Sequence, residues 1–128
     1  MKNKRYLRVV AVMMILCLCG IQADAAYVPS VAVSLSKSQK SNSSNLKMLD
    51  ASKMYCENTT ASKYNINFYA YGSNNGKTAS LDNLITLAKG KKGTFKVSGN
   101  YNYYKIILTG KKSNGKTVSG CIGFGKIY

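Results

Sequence analysis

Residues 64–71 read Tyr64-Asn65-Ile66-Asn67-Phe68-Tyr69-Ala70-Tyr71. Tyr64, Ile66, Phe68 and Ala70 alternate with Asn65, Asn67, Tyr69 and Tyr71. A period of two puts one set on each side of an extended chain, whereas a helix would scatter both sets around its axis. The stretch is therefore a strand with its first set turned toward a core. A second stretch repeats the pattern: Tyr104, Ile106 and Leu108 alternate with Tyr103, Lys105 and Ile107. Aromatic and β-branched side chains of this kind suit a pleated, half-buried surface.

Turn signals surround both strands. Asn75-Gly76 follows the first and Asn114-Gly115 the second, the pair favoured in type I′ hairpins, where both residues take positive φ. The two tips are near-copies, NNGKTAS at 74–80 and SNGKTVS at 113–119, a likeness that turn chemistry alone can produce. Gly90-Lys91-Lys92-Gly93 and Gly99-Asn100 mark further turns, with a short strand through Phe95 and Val97 between them. Leu84, Ile85 and Leu87 form a less regular apolar stretch. Upstream, Val31, Val33 and Leu35 share one face of a strand entered after Pro29. Residues 36–45 carry no apolar side chain and read as a polar loop. Residues 46–56 fit a helix through Met48, Ala51 and Tyr55, and a strand through Met54 and Cys56. The β-rich surroundings favour the strand. In the last strand Val118, Ile122 and Phe124 are expected to face inward, which turns Cys121 the other way.

About seven short antiparallel strands with turns every 8–12 residues predict an all-β domain, a small β-sandwich, with a small β-barrel as the alternative. The outline is similar to immunoglobulin-like modules. The similarity stops at the outline, because there is no Trp and the second cysteine is not in the penultimate strand.

The chain begins with a basic segment (Lys2, Lys4, Arg5, Arg8), then the apolar run Val9–Cys19, then Ala23-Asp24-Ala25. That order predicts a secretory signal over 1–25, cleaved after Ala25, and one secreted domain over 26–128. The apolar run is shorter than the roughly 20 residues that span a bilayer. Cleavage removes Cys17 and Cys19 and leaves Cys56 and Cys121. In an oxidising compartment that pair is expected to form a disulfide.

Composition excludes several chemistries. The 128 residues include no His, so neither a His-based triad nor a His metal site can be built. Residues 26–128 hold 15 lysines, no arginine and three acids: Asp50, Glu57 and Asp82. Three carboxylates leave little for a metal cage, and a hydrolase would need two of them across a scissile bond. Residues 34–37 (SLSK) match a Ser-x-x-Lys spacing that chance readily supplies among so many serines and lysines. No cofactor and no metal are expected. The sequons at Asn42 and Asn58 fall in expected loops.

What remains is charge. A formal net charge of +12 over residues 26–128 attracts polyanions. The expected function is a secreted, non-catalytic, cationic binding module for an anionic polymer or membrane surface: teichoic acid, acidic glycan, anionic lipid or extracellular DNA. A bacteriocin-like antibacterial protein acting on cell envelopes is the alternative, and a small carboxylate-dependent hydrolase comes third. Base-specific recognition of nucleic acid is not expected without arginine. Two sets of residues are candidates for contact. Tyr69, Tyr71, Tyr101, Tyr103 and Lys105 would share the outward face of the two best strands, where tyrosine rings can stack on sugars or bases. Lys91, Lys92, Lys111 and Lys112 would form basic loops.

Overall fold

The computed structural model describes residues 29–128, so the expected signal segment lies outside the described residues. Among the described residues nine strands form two antiparallel sheets. One sheet has the order β1-β9-β4-β7, made of Val31–Leu35, Gly123–Ile127, Lys53–Asn58 and Lys92–Lys96. The other has the order β2-β8-β5-β6, made of Ser41–Ser43, Tyr103–Lys111, Asn65–Ser73 and Ser80–Leu87, with β3 (Lys47–Met48) also paired to β8. The protein is a small β-sandwich.

Two strands exceed the expected number, and both are short. Ser41–Ser43 pairs with β8 inside the stretch expected to be a polar loop. Its side chains do not announce a strand because they need not be buried: Ser41 Oγ donates to the Leu108 carbonyl and Asn42 Nδ2 to the Ser34 carbonyl. That Asn42 bond joins the two sheets along one edge. Along the other edge Asn83 Nδ2 donates to the Lys96 carbonyl, and the Asp82 carboxylate accepts from Ser98 N–H. Side chains, not a continuous backbone ladder, stitch these edges, which makes this a sandwich and not a closed barrel.

The core lies between the inward faces of the sheets. Ile66, Phe68 and Ala70 of β5 and Tyr104, Ile106 and Leu108 of β8 are fully buried, in the alternation their sequence predicts. Met54, Cys56 and Asn58 face inward from β4, so the strand reading of 46–56 holds over 53–56, and Lys47–Met48 in the same segment is a short strand as well. Asn58 is thus buried in a strand and not in a loop, and Asn42 also lies in a strand. The irregular apolar stretch 80–87 is a strand whose register against β5 shifts between Ala70 and Tyr71. The shift leaves Leu81 and Leu84 exposed.

The last strand turns the opposite way from expectation. Gly123, Gly125 and Ile127 face inward, while Phe124 lies outside against the ring of Tyr55, centroids 6.2 Å apart. The space a bulky side chain would need is already filled. A Cβ on Gly125 would come within 2.5 Å of Ile106 Cδ1, and one on Gly123 would meet Ile66 Cδ1 at 2.5 Å. Glycines let the two backbones approach, and the apolar filling comes from the opposite sheet.

The expected disulfide is not formed: Cys56 and Cys121 are separate, fully buried thiols. Cys56 stands opposite Gly125 in the β4–β9 ladder. Cys121 lies four residues away from that partner, about 13 Å of extended chain, where a disulfide needs Cα atoms within about 7 Å. Its thiol instead donates weakly to the Tyr64 and Asn65 carbonyls at 3.4 and 3.6 Å. Burial pushes the Cys56 thiol up from 9.0 to about 12, so it stays protonated and unreactive in the fold. A thiol reagent at pH 8 is expected to label neither cysteine in the native protein and both after guanidinium unfolding. Because the folded thiol ionises later than the unfolded one, its contribution to stability is complete below pH 9 and is lost as pH rises toward 12. Cys56→Ala should flatten that part of an alkaline denaturation curve.

The turns also differ from expectation. Gly76 and Gly115 take φ of 71° and 84°, but no non-glycine described residue has positive φ, so neither tip is a type I′ turn. At the first tip Asn75 Oδ1 accepts from the N–H groups of Lys77 and Thr78 instead. This closes a wider loop through an Asx-type bond.

Candidate functional site

The order of the strands decides where the lysines go. Leu35, Asn58 and Gly123 lie at one end of the first sheet, and Glu57 beside Asn58 pairs with Lys92. Asn65, Lys111, Leu87 and Ser41 lie at the matching end of the second. The crossovers β1–β2, β4–β5, β6–β7 and β8–β9 therefore all pass over the same end of the sandwich. They and their flanking strand residues carry Lys37, Lys40, Lys63, Lys89, Lys91, Lys92, Lys111, Lys112 and Lys116, nine of the 15 lysines in residues 26–128. Among the described residues the one acid at that end is Glu57, whose carboxylate accepts a 2.9 Å hydrogen bond from the Tyr55 hydroxyl. That bond, first of all, raises the ionisation point of Tyr55 above 10.0. Asp50 and Asp82 sit toward the other end. Of the four lysines expected in loops, Lys91 and Lys112 lie in crossovers, while Lys92 opens β7 and Lys111 closes β8 because the ladders run on into the expected turns. All four belong to a larger cluster, assembled from segments far apart in the chain.

The crossovers are held firmly. Asn58 Nδ2 donates to the Tyr64 carbonyl at 3.0 Å and the Leu87 carbonyl at 2.9 Å, tying β4 to the start of β5 and the end of β6. Ser62 Oγ donates to the Ile122 carbonyl and accepts from Ile122 N–H. The Lys37 and Lys40 carbonyls accept from Gly120 and Gly110 N–H.

The aromatic candidates divide. Tyr69, Tyr71, Tyr103 and Lys105 lie on the outer face of the second sheet, where Tyr71 stands opposite Lys105. The rings of Tyr69 and Tyr71 stack with centroids 6.3 Å apart, and Lys105 Nζ lies 5.5 Å from the centre of the Tyr71 ring. Tyr103 packs beneath the turn at Gly76, where a Cβ would sit 3.1 Å from the ring. Tyr101 does not join them. It precedes β8, and its ring fills the space over Gly72 on the inner side, edge-on to Tyr104 with centroids 6.0 Å apart. Alternation carried back from Tyr103 put Tyr101 outside; the strand starts only at Tyr103, so the alternation does not extend that far.

Residues that were not among the contact candidates complete this outer face. Leu81 and Leu84 stand opposite Tyr71 and Tyr69, and Met48 opposite Tyr103; all three are exposed. At the lysine end the face dips into a cleft of about 320 Å³, bordered by Asn67, Tyr69, Thr86, Lys111, Lys112 and Ser113. Tyr69 and Lys111, which sequence reasoning placed in separate sets, meet in this cleft.

No family model and no curated protein matches the sequence. Among solved structures, the chain is similar to one described as the crystal structure of PirA, with a TM-score of 0.50 and 10% identity, over 82% of this chain and 98% of that one. A likeness at that identity concerns the fold.

Proposed function

We propose that the protein is a secreted, non-catalytic binding module that attaches to an anionic polymer of an envelope or extracellular matrix through its lysine end. The observation that carries this reading is the gathering of nine lysines on four crossovers at one end, with Glu57 as the single acid there among the described residues. At physiological ionic strength charges interact over roughly 8 Å. Clustered lysines therefore act together on a nearby polyanion, while scattered ones would not. Each phosphate, sulfate or carboxylate that a lysine neutralises also releases counterions.

Polyphosphate beads test this without supplying sugar rings or bases. Replacing Lys91, Lys92, Lys111 and Lys112 by Gln is expected to move elution to much lower salt and to reduce the slope of log affinity against log salt by about 3. Replacing Lys53, Lys77, Lys96 and Lys126 by Gln removes the same charge elsewhere and should shift elution far less. Equal shifts from the two quartets would show that net charge, and not the lysine end, does the binding.

A further inference from the structure

The cleft beside the lysine end is built differently from the rest of that end. On its floor Thr86 Oγ donates to Asn67 Oδ1 at 2.8 Å, and Asn67 Nδ2 donates to the Tyr69 hydroxyl oxygen at 3.1 Å. The direction of this relay matters. Asn67 uses the lone pair of the Tyr69 oxygen, so the phenol keeps its own proton to donate. The chain of bonds therefore ends in an O–H donor at the cleft. Behind it the Tyr69 ring is braced by Tyr71, and Lys105 lies over Tyr71. The result is a braced pair of aromatic rings leading away from the cleft along β5.

The rim is cationic. Lys111 Nζ donates to Thr117 Oγ1 at 2.9 Å, and Lys112 Nζ lies 5.5 Å from the centre of the Tyr64 ring. Both ammonium groups are thus anchored in place, and each has N–H donors to spare. Among the described residues no carboxylate borders the cleft. Ser113 adds a hydroxyl, and Gly115 has open space where a side chain would stand. Amides, hydroxyls and an aromatic ring around a shallow cleft match the mixed polar and apolar surface of a sugar. The two lysines on its border, Lys111 and Lys112, match an acidic substituent on it. The volume lies at the low end of the range for ligand sites, about 300–1,000 Å³, suited to one or two sugar rings.

Resting on the reading above, we infer that this cleft is a saccharide subsite, and that the anionic polymer the protein binds is an acidic glycan. A sugar ring bearing a carboxylate or sulfate sits on Tyr69, hydrogen-bonded by the Tyr69 hydroxyl and Asn67, with its anionic group between Lys111 and Lys112. The next ring lies along Tyr71.

The test compares three probes on the chain from residue 26 onward: hyaluronate, with carboxylates on sugar rings; dextran sulfate, with sulfates on sugar rings; and poly-L-glutamate, with carboxylates and no rings. At least one of the two glycans is expected to bind at salt concentrations that release polyglutamate, and which one does identifies the acidic group. Tyr69→Ala and Asn67→Ala should each weaken that glycan about tenfold and leave polyglutamate binding at low salt unchanged. Unchanged polyglutamate binding also shows that the variants are folded. Lys111→Gln with Lys112→Gln should weaken all the probes bound. Equal salt sensitivity for glycans and polyglutamate, with no effect of Tyr69→Ala, would overturn the subsite and leave the lysine-end reading standing. Failure to bind any of the three would overturn both. If Tyr69→Ala weakened binding to anionic phospholipid vesicles or to single-stranded DNA and not to either glycan, the cleft would serve another class of ligand and the inference would fall.

Discussion

Gly125→Val is expected to lower the unfolding free energy by about 3 kcal/mol or more, a large share of the roughly 5–15 kcal/mol that holds a domain together. The backbone is not the reason, since Gly125 is outside the positive-φ glycines. The reason is space. The first added carbon would lie 2.5 Å from Ile106 Cδ1, 2.9 Å from Leu108 Cδ1 and 3.4 Å from Phe68 Cδ1. All three of those residues are fully buried, so none can swing into solvent. Either the sheets separate or the side chains leave their rotamers. Urea midpoints of the variant would measure the loss. Adding Ile106→Ala to Gly125→Val should recover part of it, because the small residue makes room for the large one; two independent defects would instead add. Ala32→Val, at an exposed position on β1, should change the midpoint little.

The second large effect is expected at Asn58. Asn58→Asp replaces an amide that donates to two carbonyls with a group that, ionised, can only accept. A carboxylate would then face the Tyr64 and Leu87 oxygens at a site with no solvent exposure. The cost is about 3–5 kcal/mol at neutral pH. Burial and the facing carbonyls hold the new carboxyl protonated, so its ionisation point in the fold lies above the unfolded value near 4. Stability of the variant is therefore expected to be least impaired below pH 4 and to fall as pH rises above it. Thermal melts of wild type and variant at pH 3.5 and pH 7 would show this as a gap between their midpoints that widens with pH. Because Asn58 ties the β4–β5 and β6–β7 crossovers together, the variant should also bind polyphosphate more weakly at temperatures where it is still folded.

Asn58 also shows why the site was harder to read than the fold. In the sequence it is one asparagine after Glu57, within a glycosylation-like triplet. Its role depends on carbonyls 6 and 29 residues away, and no local pattern encodes those. The lysine end has the same origin. Lys91, Lys92, Lys111 and Lys112 were legible as basic turns, but Lys37, Lys40 and Lys63 join them only because four crossovers pass over one end. Tyr69 and Lys111 were legible separately. Their meeting in a cleft follows from the pairing of Asn65 with Lys111 in the β5–β8 ladder.

Alternation alone specified the two central strands, their buried faces and the all-β class. Period two is a local property of the backbone and acts whatever lies opposite. It failed where the partner surface decides. Gly123 and Gly125 point inward because the facing sheet already fills that space, and Tyr101 turns inward because Gly72 leaves room for its ring. The two cysteines stay apart because strand register, not their number, sets the distance between them. Side-chain volume and register across two sheets are properties of pairs of distant segments, and only the folded chain brings those pairs together.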